Sequence, residues 1–205
     1  MRIHKKKFIY LISPNKIKNN SFFHNLNLVL KSNKVSFFQL RLKNESFDKK
    51  IQISKRILKI CRKNNVKFII NDDPNCALKV NADGCHLGQK DMNINEARKI
   101  LKKKIIGITC HNSTELAKNA ASKGANYIAL GAFYKTNTKK RTHKADLKTL
   151  EKIKKLVKLP VVAIGGINEK NYKKLLLNKA DFLAISSYIW NNKKLKPQKA
   201  IEKLI

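Results

Sequence analysis

Residues 35–44 read VSFFQLRLKN, an apolar run that becomes polar towards its end. The apolar part has the composition of a strand that is buried on both faces. Because residues two apart share one face of a strand, we expect Gln39, Arg41 and Lys43 to project together. Two cations and an amide at the carboxyl end of a strand suit an anionic substrate. The alternative is a strand that leaves the core for solvent at its end.

Further apolar runs of similar length alternate with amphipathic segments along the chain. The helical pattern is clear at residues 51–60, with apolar residues at 53, 57 and 60, and again from Leu147 to Val157. This alternation is typical of βα units around a parallel sheet. The predicted strands cover residues 8–13, 37–42, 67–72, 84–87, 105–110, 127–131, 161–166 and 182–187.

The number of these units predicts the fold. Eight strands in a chain of 205 residues, with no linker rich in Pro, Gly or Ser, indicate an α/β protein with a single (β/α)8 TIM barrel over residues 1–205. An open, doubly wound sheet is the alternative. The G-x-G-x-x-G fingerprint that would favour such a sheet does not occur in the sequence.

The charge of the chain is strongly positive. Its formal net charge is +33, from 46 Lys and Arg against 13 Asp and Glu. Clustered cations would indicate a nucleic-acid partner. Six of these cations are Arg, and the lysines are spread along the whole chain. We therefore interpret them as a solvated surface that attracts small anionic ligands, and we expect no specific nucleic-acid partner.

Composition also bears on location. No apolar run approaches the roughly 20 residues that cross a bilayer, so the sequence predicts no membrane span. The first apolar run is short and lacks a small-residue cleavage site, which argues against a signal peptide. The four cysteines, Cys61, Cys76, Cys85 and Cys110, show no C-x-x-C spacing. Reduced, buried thiols and a cytoplasmic location are expected.

The carboxyl ends of the strands of a closed barrel meet at one rim, which carries the active site in this fold. Three of the few carboxylates in the chain fall at this rim, at Asp72, Asp73 and Asp91. Asp73 precedes Pro74 and is expected to cap a helix. Asp72 and Asp91 have no such role. Two carboxylates beside cations predict a Mg²⁺ ion that holds substrate phosphates.

A second anion-binding region is expected on the other side of the rim. Gly165 and Gly166 follow the seventh predicted strand, where glycines let the backbone approach an oxyanion closely. Ser186 and Ser187 follow the eighth strand, and phosphate sites in these barrels recur at strands 7 and 8. The first region suits a diphosphate, and this second region suits a monophosphate.

The motifs at the rim resemble the thiamine phosphate synthase family over nearly the whole chain. The matching segments are Gln39-x-Arg41-x-Lys43, Ile70-Asn71-Asp72, Gly84-x-His86-Leu87-Gly88-Gln89-x-Asp91, Gly107-Ile108-Thr109-x-His111, Thr136-x-Thr138-Lys139 and Ala163-Ile164-Gly165-Gly166-Ile167. The resemblance implies a Mg²⁺-dependent transferase. It would move a hydroxymethylpyrimidine group from its diphosphate to the ring nitrogen of a hydroxyethylthiazole phosphate and release diphosphate.

The resemblance also implies a role for each rim residue. Arg41, Lys43 and Lys139 would be the catalytic cations on the diphosphate, with Asn71 and Thr109 as neutral donors, Asp72 and Asp91 as Mg²⁺ ligands, Gln39 on the pyrimidine, and Thr136, Thr138, Gly166, Ser186 and Ser187 on the thiazole phosphate. The chemistry needs no dedicated base, so His86 and His111 are interpreted as structural or orienting groups. The chain departs from the family pattern at Ala132, Lys135 and Phe182.

Two other functions stay open at this point. A thiazole tautomerase of the same fold would bind a thiazole phosphate carboxylate and would use His111. It has no diphosphate to hold, so Lys43 and Asp91 would lack a purpose. A basic nucleic-acid-binding protein on a barrel scaffold would instead carry its cations on one outer face.

Overall fold

The strands pair in sequence order, and the last strand pairs with the first. In the computed structural model, which describes residues 7–17, 19–136 and 143–204, every pairing is parallel and β8 closes the sheet on β1. The strands are β1 (Ile9–Ile12), β2 (Val35–Leu40), β3 (Lys67–Asn71), β4 (Gly84–Leu87), β5 (Ile105–His111), β6 (Tyr127–Gly131), β7 (Val161–Ile164) and β8 (Phe182–Ile185). The predicted TIM barrel is confirmed, and the open sheet is wrong.

A helix follows each strand and packs outside the barrel. The helices are α1 (Ser21–Leu30), α2 (Phe47–Lys63), α3 (Pro74–Lys79), α4 (Ile94–Leu101), α5 (Thr114–Ser122), α6 (Leu147–Leu156), α7 (Tyr172–Leu177), α8 (Ser187–Trp190) and α9 (Pro197–Glu202). Asp73 caps α3 as predicted, since its carboxylate accepts the Cys76 N–H at 2.9 Å. None of the helices in the described parts of the chain has the length and hydropathy of a membrane span.

The strands end earlier than predicted at three places that matter for the site. β2 ends at Leu40, so Arg41 and Lys43 lie in the following loop. The reason is that the backbone N–H of Arg41 binds the hydroxyl of Ser13, at 2.9 Å, instead of a neighbouring strand. β7 and β8 also end two residues earlier than predicted, so the glycine pair 165–166 and the serine pair 186–187 lie in the segments that follow these strands.

Aromatic rings fill the lower part of the barrel interior. We call Tyr10, Phe37, Tyr127 and Phe182 the aromatic floor; Phe37 packs edge-on against Phe182 with ring centroids 5.1 Å apart. Gly107 on β5 makes room for one of these rings, because a Cβ at this position would lie 1.9 Å from the ring of Tyr127. The interior is thus closed from below, and polar side chains lie above the floor at the rim.

Candidate active site

Asp72 and Asp91 meet at the rim above β3 and β4. Asp72 adopts a left-handed backbone with φ of 65°, a conformation that is uncommon for residues other than glycine and recurs at functional sites. Asp91 accepts the backbone N–H of Gly88 at 2.7 Å. The two carboxyl groups interact through a hydrogen bond, and Lys43 Nζ lies 3.3 Å from Asp72 Oδ2. The structure therefore brings both predicted metal ligands and one predicted cation together.

The electrostatics of this group favour a cation. Partial burial raises the pKa of Asp91, and the hydrogen bond to Asp72 and its charge raise it further. The Gly88 N–H and the charge of Lys43 act in the opposite direction. Because two negative charges this close repel each other, a cation between them would be favourable. Within the described residues, no cluster of three or more His, Cys, Asp or Glu side chains is arranged to hold a metal ion.

Arg41 lies between this carboxylate group and the end of β1. Its Nη1 donates to Asn15 Oδ1 at 2.8 Å, while its backbone is held by Ser13. Burial lowers the pKa of Arg41, and the charge of Asp72 raises it. An arginine stays protonated despite such a shift, so the side chain presents a fixed positive charge at the rim.

Two amide side chains lie beside these charges. Gln39 is only 3% exposed, and Asn71 is half-buried at the end of β3. Within the described parts of the chain, neither side-chain amide makes a hydrogen bond. Polar groups in such positions are normally paired. Unpaired amides at a rim are therefore available for a ligand.

Thr109 closes this side of the rim on β5. Its hydroxyl lies 2.9 Å from His86 Nε2, and its carbonyl accepts a hydrogen bond from the side chain of Gln89. The other ring nitrogen of His86 lies 2.9 Å from the Tyr127 hydroxyl, which lies 2.7 Å from the Tyr10 hydroxyl. His86 is thus buried between the rim and the aromatic floor.

The glycine pair forms the opposite side of the rim. Gly165 and Gly166 have φ of 108° and 63°, and a Cβ on Gly166 would lie 2.4 Å from the carbonyl oxygen of Lys135. The loop after β6 packs onto the pair, since the Tyr134 N–H donates to the Gly165 carbonyl at 3.1 Å. Thr136 is the last described residue of this loop before residue 137. The predicted site residues Thr138 and Lys139 lie outside the described residues.

The two serines after β8 differ in their surroundings. Ser186 donates its hydroxyl proton to the Ser13 carbonyl at 3.0 Å, which joins the ends of β8 and β1. Ser187 begins α8, and its hydroxyl makes no hydrogen bond within the described residues. Of the two hydroxyls, that of Ser187 is therefore the one free to donate to a ligand.

His111, which the tautomerase alternative would use, lies at the end of β5. Its backbone is left-handed, with φ of 53°. Its ring packs against the ring of His143, with centroids 4.0 Å apart. His143 follows directly after the residues that the structure does not describe, so His111 supports the end of the loop that carries Thr136.

Three residues with clear contacts in the site were missed in the sequence. Ser13 and Asn15 hold Arg41, and Tyr127 contacts His86. A signal existed for the first two, because Ser13 and Asn15 follow β1 as polar residues follow the other strands. Tyr127 begins an apolar strand and looks like an ordinary core residue.

The fold and the rim together define a TIM-barrel protein for small phosphorylated molecules, with charged groups on one side of the rim and a glycine-lined loop on the other. Residues 9–189 match the family model described as thiamine monophosphate synthase. This chain belongs to that family. The family prediction made from the motifs is confirmed.

Individual relatives agree with this assignment. The chain is 65% identical over 199 residues to a thiamine-phosphate synthase of Pelagibacter ubique, covering 97% of this chain and 96% of that protein. It is 44% identical over 167 residues to the Clostridium tetani thiamine-phosphate synthase, covering 81% and 78%. A solved thiamine phosphate pyrophosphorylase from Pyrococcus furiosus is 32% identical, with a TM-score of 0.86 over 97% of this chain and 93% of that chain. These similarities support the synthase prediction over the tautomerase and nucleic-acid alternatives.

Proposed function

We propose that this protein transfers a hydroxymethylpyrimidine group from its diphosphate to the ring nitrogen of a hydroxyethylthiazole phosphate, giving thiamine phosphate and diphosphate. The observation that carries the proposal is the contact of Lys43 with Asp72, beside Asp91, in a chain of this family. A group of opposite charges at one point of the rim is what a diphosphate and a metal ion require together.

The chemistry places its main demand on the leaving group. When the carbon–oxygen bond to the diphosphate breaks, the electron-rich aminopyrimidine carries positive charge and the diphosphate gains negative charge. Fixed cations at the diphosphate stabilise this change because they are already oriented before the bond breaks. Arg41, held by Ser13 and Asn15, and Lys43 are proposed for this role. Lys139 is proposed as a third cation on the basis of its motif alone.

The carboxylate pair fits a magnesium ion. Asp91 has a raised pKa because of burial and its contact with Asp72, so an added cation would relieve an unfavourable pair. Mg²⁺ prefers a few carboxylate oxygens and keeps the rest of its shell for water and phosphate, so two carboxylates are a sufficient protein contribution. Asp72 and Asp91 would hold the ion. When bound, it would neutralise charge on the departing diphosphate.

The neutral donors around the charges suit the pyrimidine end of the substrate. We propose that the buried amide of Gln39 binds the pyrimidine, and that Asn71 and Thr109 donate to the diphosphate. The amides of Gln39 and Asn71 have no competing side-chain partner within the described residues. Ligand binding would therefore not have to break a protein hydrogen bond first.

The opposite side of the rim suits the monophosphate of the thiazole. Gly166 offers its backbone without a Cβ, and the hydroxyl of Ser187 is available, so both are proposed to bind phosphate oxygens. Thr136, Thr138 and Ser186 are proposed to complete the contacts. With one phosphorylated ring on each side, the ring nitrogen can be aligned with the reacting carbon.

The four cysteines bear on the compartment. Cys61, Cys76, Cys85 and Cys110 are all buried, and none forms a disulfide. Burial raises the pKa of Cys110 to about 12 and that of Cys76 to about 11, so these thiols are poor nucleophiles. Buried, unreactive thiols support our proposal of a reducing, cytoplasmic location.

The direct test is to incubate the purified protein with both phosphorylated heterocycles and Mg²⁺. We expect thiamine phosphate and diphosphate to form in equal amounts. A control reaction uses the pyrimidine monophosphate in place of the diphosphate and should give no product. If no thiamine phosphate forms while the protein converts a thiazole phosphate carboxylate, the tautomerase alternative is correct.

A further inference from the structure

Four polar side chains form a continuous chain of hydrogen bonds from the interior of the barrel to the rim. The Tyr10 and Tyr127 hydroxyls lie 2.7 Å apart, Tyr127 lies 2.9 Å from His86 Nδ1, and His86 Nε2 lies 2.9 Å from the Thr109 hydroxyl. The chain begins in the aromatic floor, where Tyr10 is 2% and Tyr127 is 3% exposed, and it ends at the rim. The two tyrosine hydroxyls, the neutral His86 imidazole and the Thr109 hydroxyl each have one proton to donate. If all three hydrogen bonds form, they therefore all point inward, towards Tyr10, or all point outward, towards the rim.

In the inward direction, the Thr109 hydroxyl donates to His86 Nε2. His86 Nδ1–H then donates to Tyr127, and Tyr127 donates to Tyr10. The Tyr10 proton is left over at the bottom of the chain, among the rings of the aromatic floor. The Tyr10 hydroxyl has no partner other than Tyr127 within the described residues. A buried donor without an acceptor is unfavourable, so this direction is disfavoured.

In the outward direction, every buried proton has an acceptor. Tyr10 donates to Tyr127, and Tyr127 donates to His86 Nδ1. His86 Nε2–H donates to Thr109, whose own proton points out to the rim. Burial raises the pKa of both Tyr10 and Tyr127, so both stay neutral donors over the working range of pH.

We propose that the aromatic floor fixes the outward direction of this chain, so that His86 and Tyr127 are positioning residues that make Thr109 a hydrogen-bond donor at the rim. The identity of the acceptor rests on the proposed function: it is an oxygen of the leaving diphosphate, whose charge grows as the bond breaks. Thr109 then contributes to turnover more than to ground-state binding.

The first test reads the direction of the chain without any substrate. Nitrogen-15 labelling of the histidine rings and two-bond nitrogen–proton spectra identify the neutral tautomer of each ring, and His86→Gln assigns the signals of His86 by their loss. We expect His86 to carry its proton on Nε2. A proton on Nδ1 would mean that the chain points inward and would overturn the proposal.

The second test compares two tyrosine variants with the same chemical change. Tyr127→Phe removes the donor to His86 Nδ1, so Thr109 can turn inward, and turnover should fall by about threefold to tenfold, the effect of one neutral hydrogen bond. The KM for the thiazole phosphate should stay the same. In Tyr10→Phe, the Tyr127 hydroxyl still has His86 as its acceptor, so the Nε2–H tautomer should persist and turnover should change by less than about twofold. Equal losses in the two folded variants would indicate a packing role and contradict the proposal.

The third test is a double-mutant cycle with Thr109. Thr109→Val should lower turnover, and Thr109→Ser should retain it because the hydroxyl is kept. In the Thr109→Val background, Tyr127→Phe should have no further effect, since its only route to the reaction is through the Thr109 hydroxyl. Additive losses would sink the proposal. If the wild-type protein forms no thiamine phosphate, the proposed function fails, but the tautomer measurement still decides the direction of the chain.

Discussion

The ammonium group of Lys43 lies 3.3 Å from the carboxylate of Asp72, and the Lys43 side chain is still 52% exposed. An ion pair this open to solvent contributes little to the stability of the fold. Its exposed position leaves the ammonium group accessible to an anionic ligand beside the carboxylates. This contact is therefore better explained by ligand binding than by structure.

Lys43→Ala should lower the turnover of thiamine phosphate formation by about tenfold or more, equivalent to roughly 1.4 kcal/mol of transition-state stabilisation. The reason is that Lys43 is proposed to act on charge that grows as the diphosphate leaves. Lys49→Ala is a matched control, because Lys49, in the first turn of α2, forms an ion pair of similar length, 2.9 Å, with Glu45 and not with Asp72 or Asp91. Steady-state kinetics of both variants check the prediction, which fails if the two behave alike.

His111→Ala should reduce the synthase reaction less than Lys43→Ala, because His111 packs on His143 and no proton transfer through it is needed. The expected effect is on the loop that carries Thr136, and so on KM for the thiazole phosphate. Measuring both variants in synthase and tautomerase assays separates the functions. A dominant loss in His111→Ala would favour the tautomerase.

Asp91→Asn should raise the melting temperature at neutral pH in the absence of Mg²⁺. The folded-state pKa of Asp91 is raised, so ionising Asp91 destabilises the fold. This destabilisation is absent below the unfolded-state pKa of about 3.9 and develops as the pH rises through the folded-state value. Asn removes the charge and can still accept the Gly88 N–H, so the gain should disappear in acid.

In the same experiment, Mg²⁺ should reduce the difference in melting temperature between the two proteins. We expect Mg²⁺ to raise the melting temperature of the wild-type protein and leave that of Asp91→Asn unchanged, with loss of activity in the variant. Metal binding should weaken as the pH falls towards the raised pKa of Asp91, because a protonated carboxyl group is a poor ligand. Equal stabilisation of both proteins by Mg²⁺ would contradict the assignment of Asp91.

Gly166→Ala should both destabilise the protein and raise the KM for the thiazole phosphate. Its φ of 63° disfavours a side chain, and the new Cβ would lie 2.4 Å from the Lys135 carbonyl oxygen. Gly124→Ala is the control, since Gly124 has a similar φ of 79° with nothing within 4 Å of the new Cβ. The control should be destabilised only by the new backbone strain, about 1–2 kcal/mol, and should keep its KM. Thermal unfolding and kinetics measure the two effects separately.

Binding to random duplex DNA should be weak and should disappear near physiological salt. The structure indicates where such binding would occur. A cleft of about 950 Å³ at the end of the barrel opposite the rim is lined by Arg62, Lys67 and the lysines 102–104. Fluorescence anisotropy over a range of salt concentrations measures the affinity. Sequence-selective binding that persists at physiological salt, and is lost on replacing these lysines with Glu, would show a second function.

The sequence predicted which residues lie at the rim, because this depends only on which residues follow each strand. Asp72 and Asp91 could be placed at one rim because the barrel brings consecutive strand ends together, and β4 and β6 begin and end at the predicted residues. It did not predict that Asn15 holds Arg41. That contact depends on how far the loops after β1 and β2 bend towards each other, and no periodic pattern encodes this bend.

The contact between His86 and Tyr127 could not be predicted for a related reason. The two residues are 41 positions apart and meet across the barrel interior. The ring of Tyr127 reaches this position only because Gly107, on a third strand, has no side chain. Each residue taken alone has an ordinary structural explanation, so only the closed barrel reveals the chain of hydrogen bonds.

The ring of Tyr127 occupies the space that a side chain at residue 107 would need, so each position restricts which substitutions the other can accept during evolution. A lineage that gains a side chain at residue 107 must also move or lose the ring at residue 127, because the new Cβ would lie 1.9 Å from that ring. Losing that ring also removes the hydroxyl that lies 2.9 Å from His86. Substitutions at 107 and 127 should therefore occur together among descendants of this chain. Each pair of changes should alter both the side-chain packing inside the barrel and the hydrogen bonding of His86.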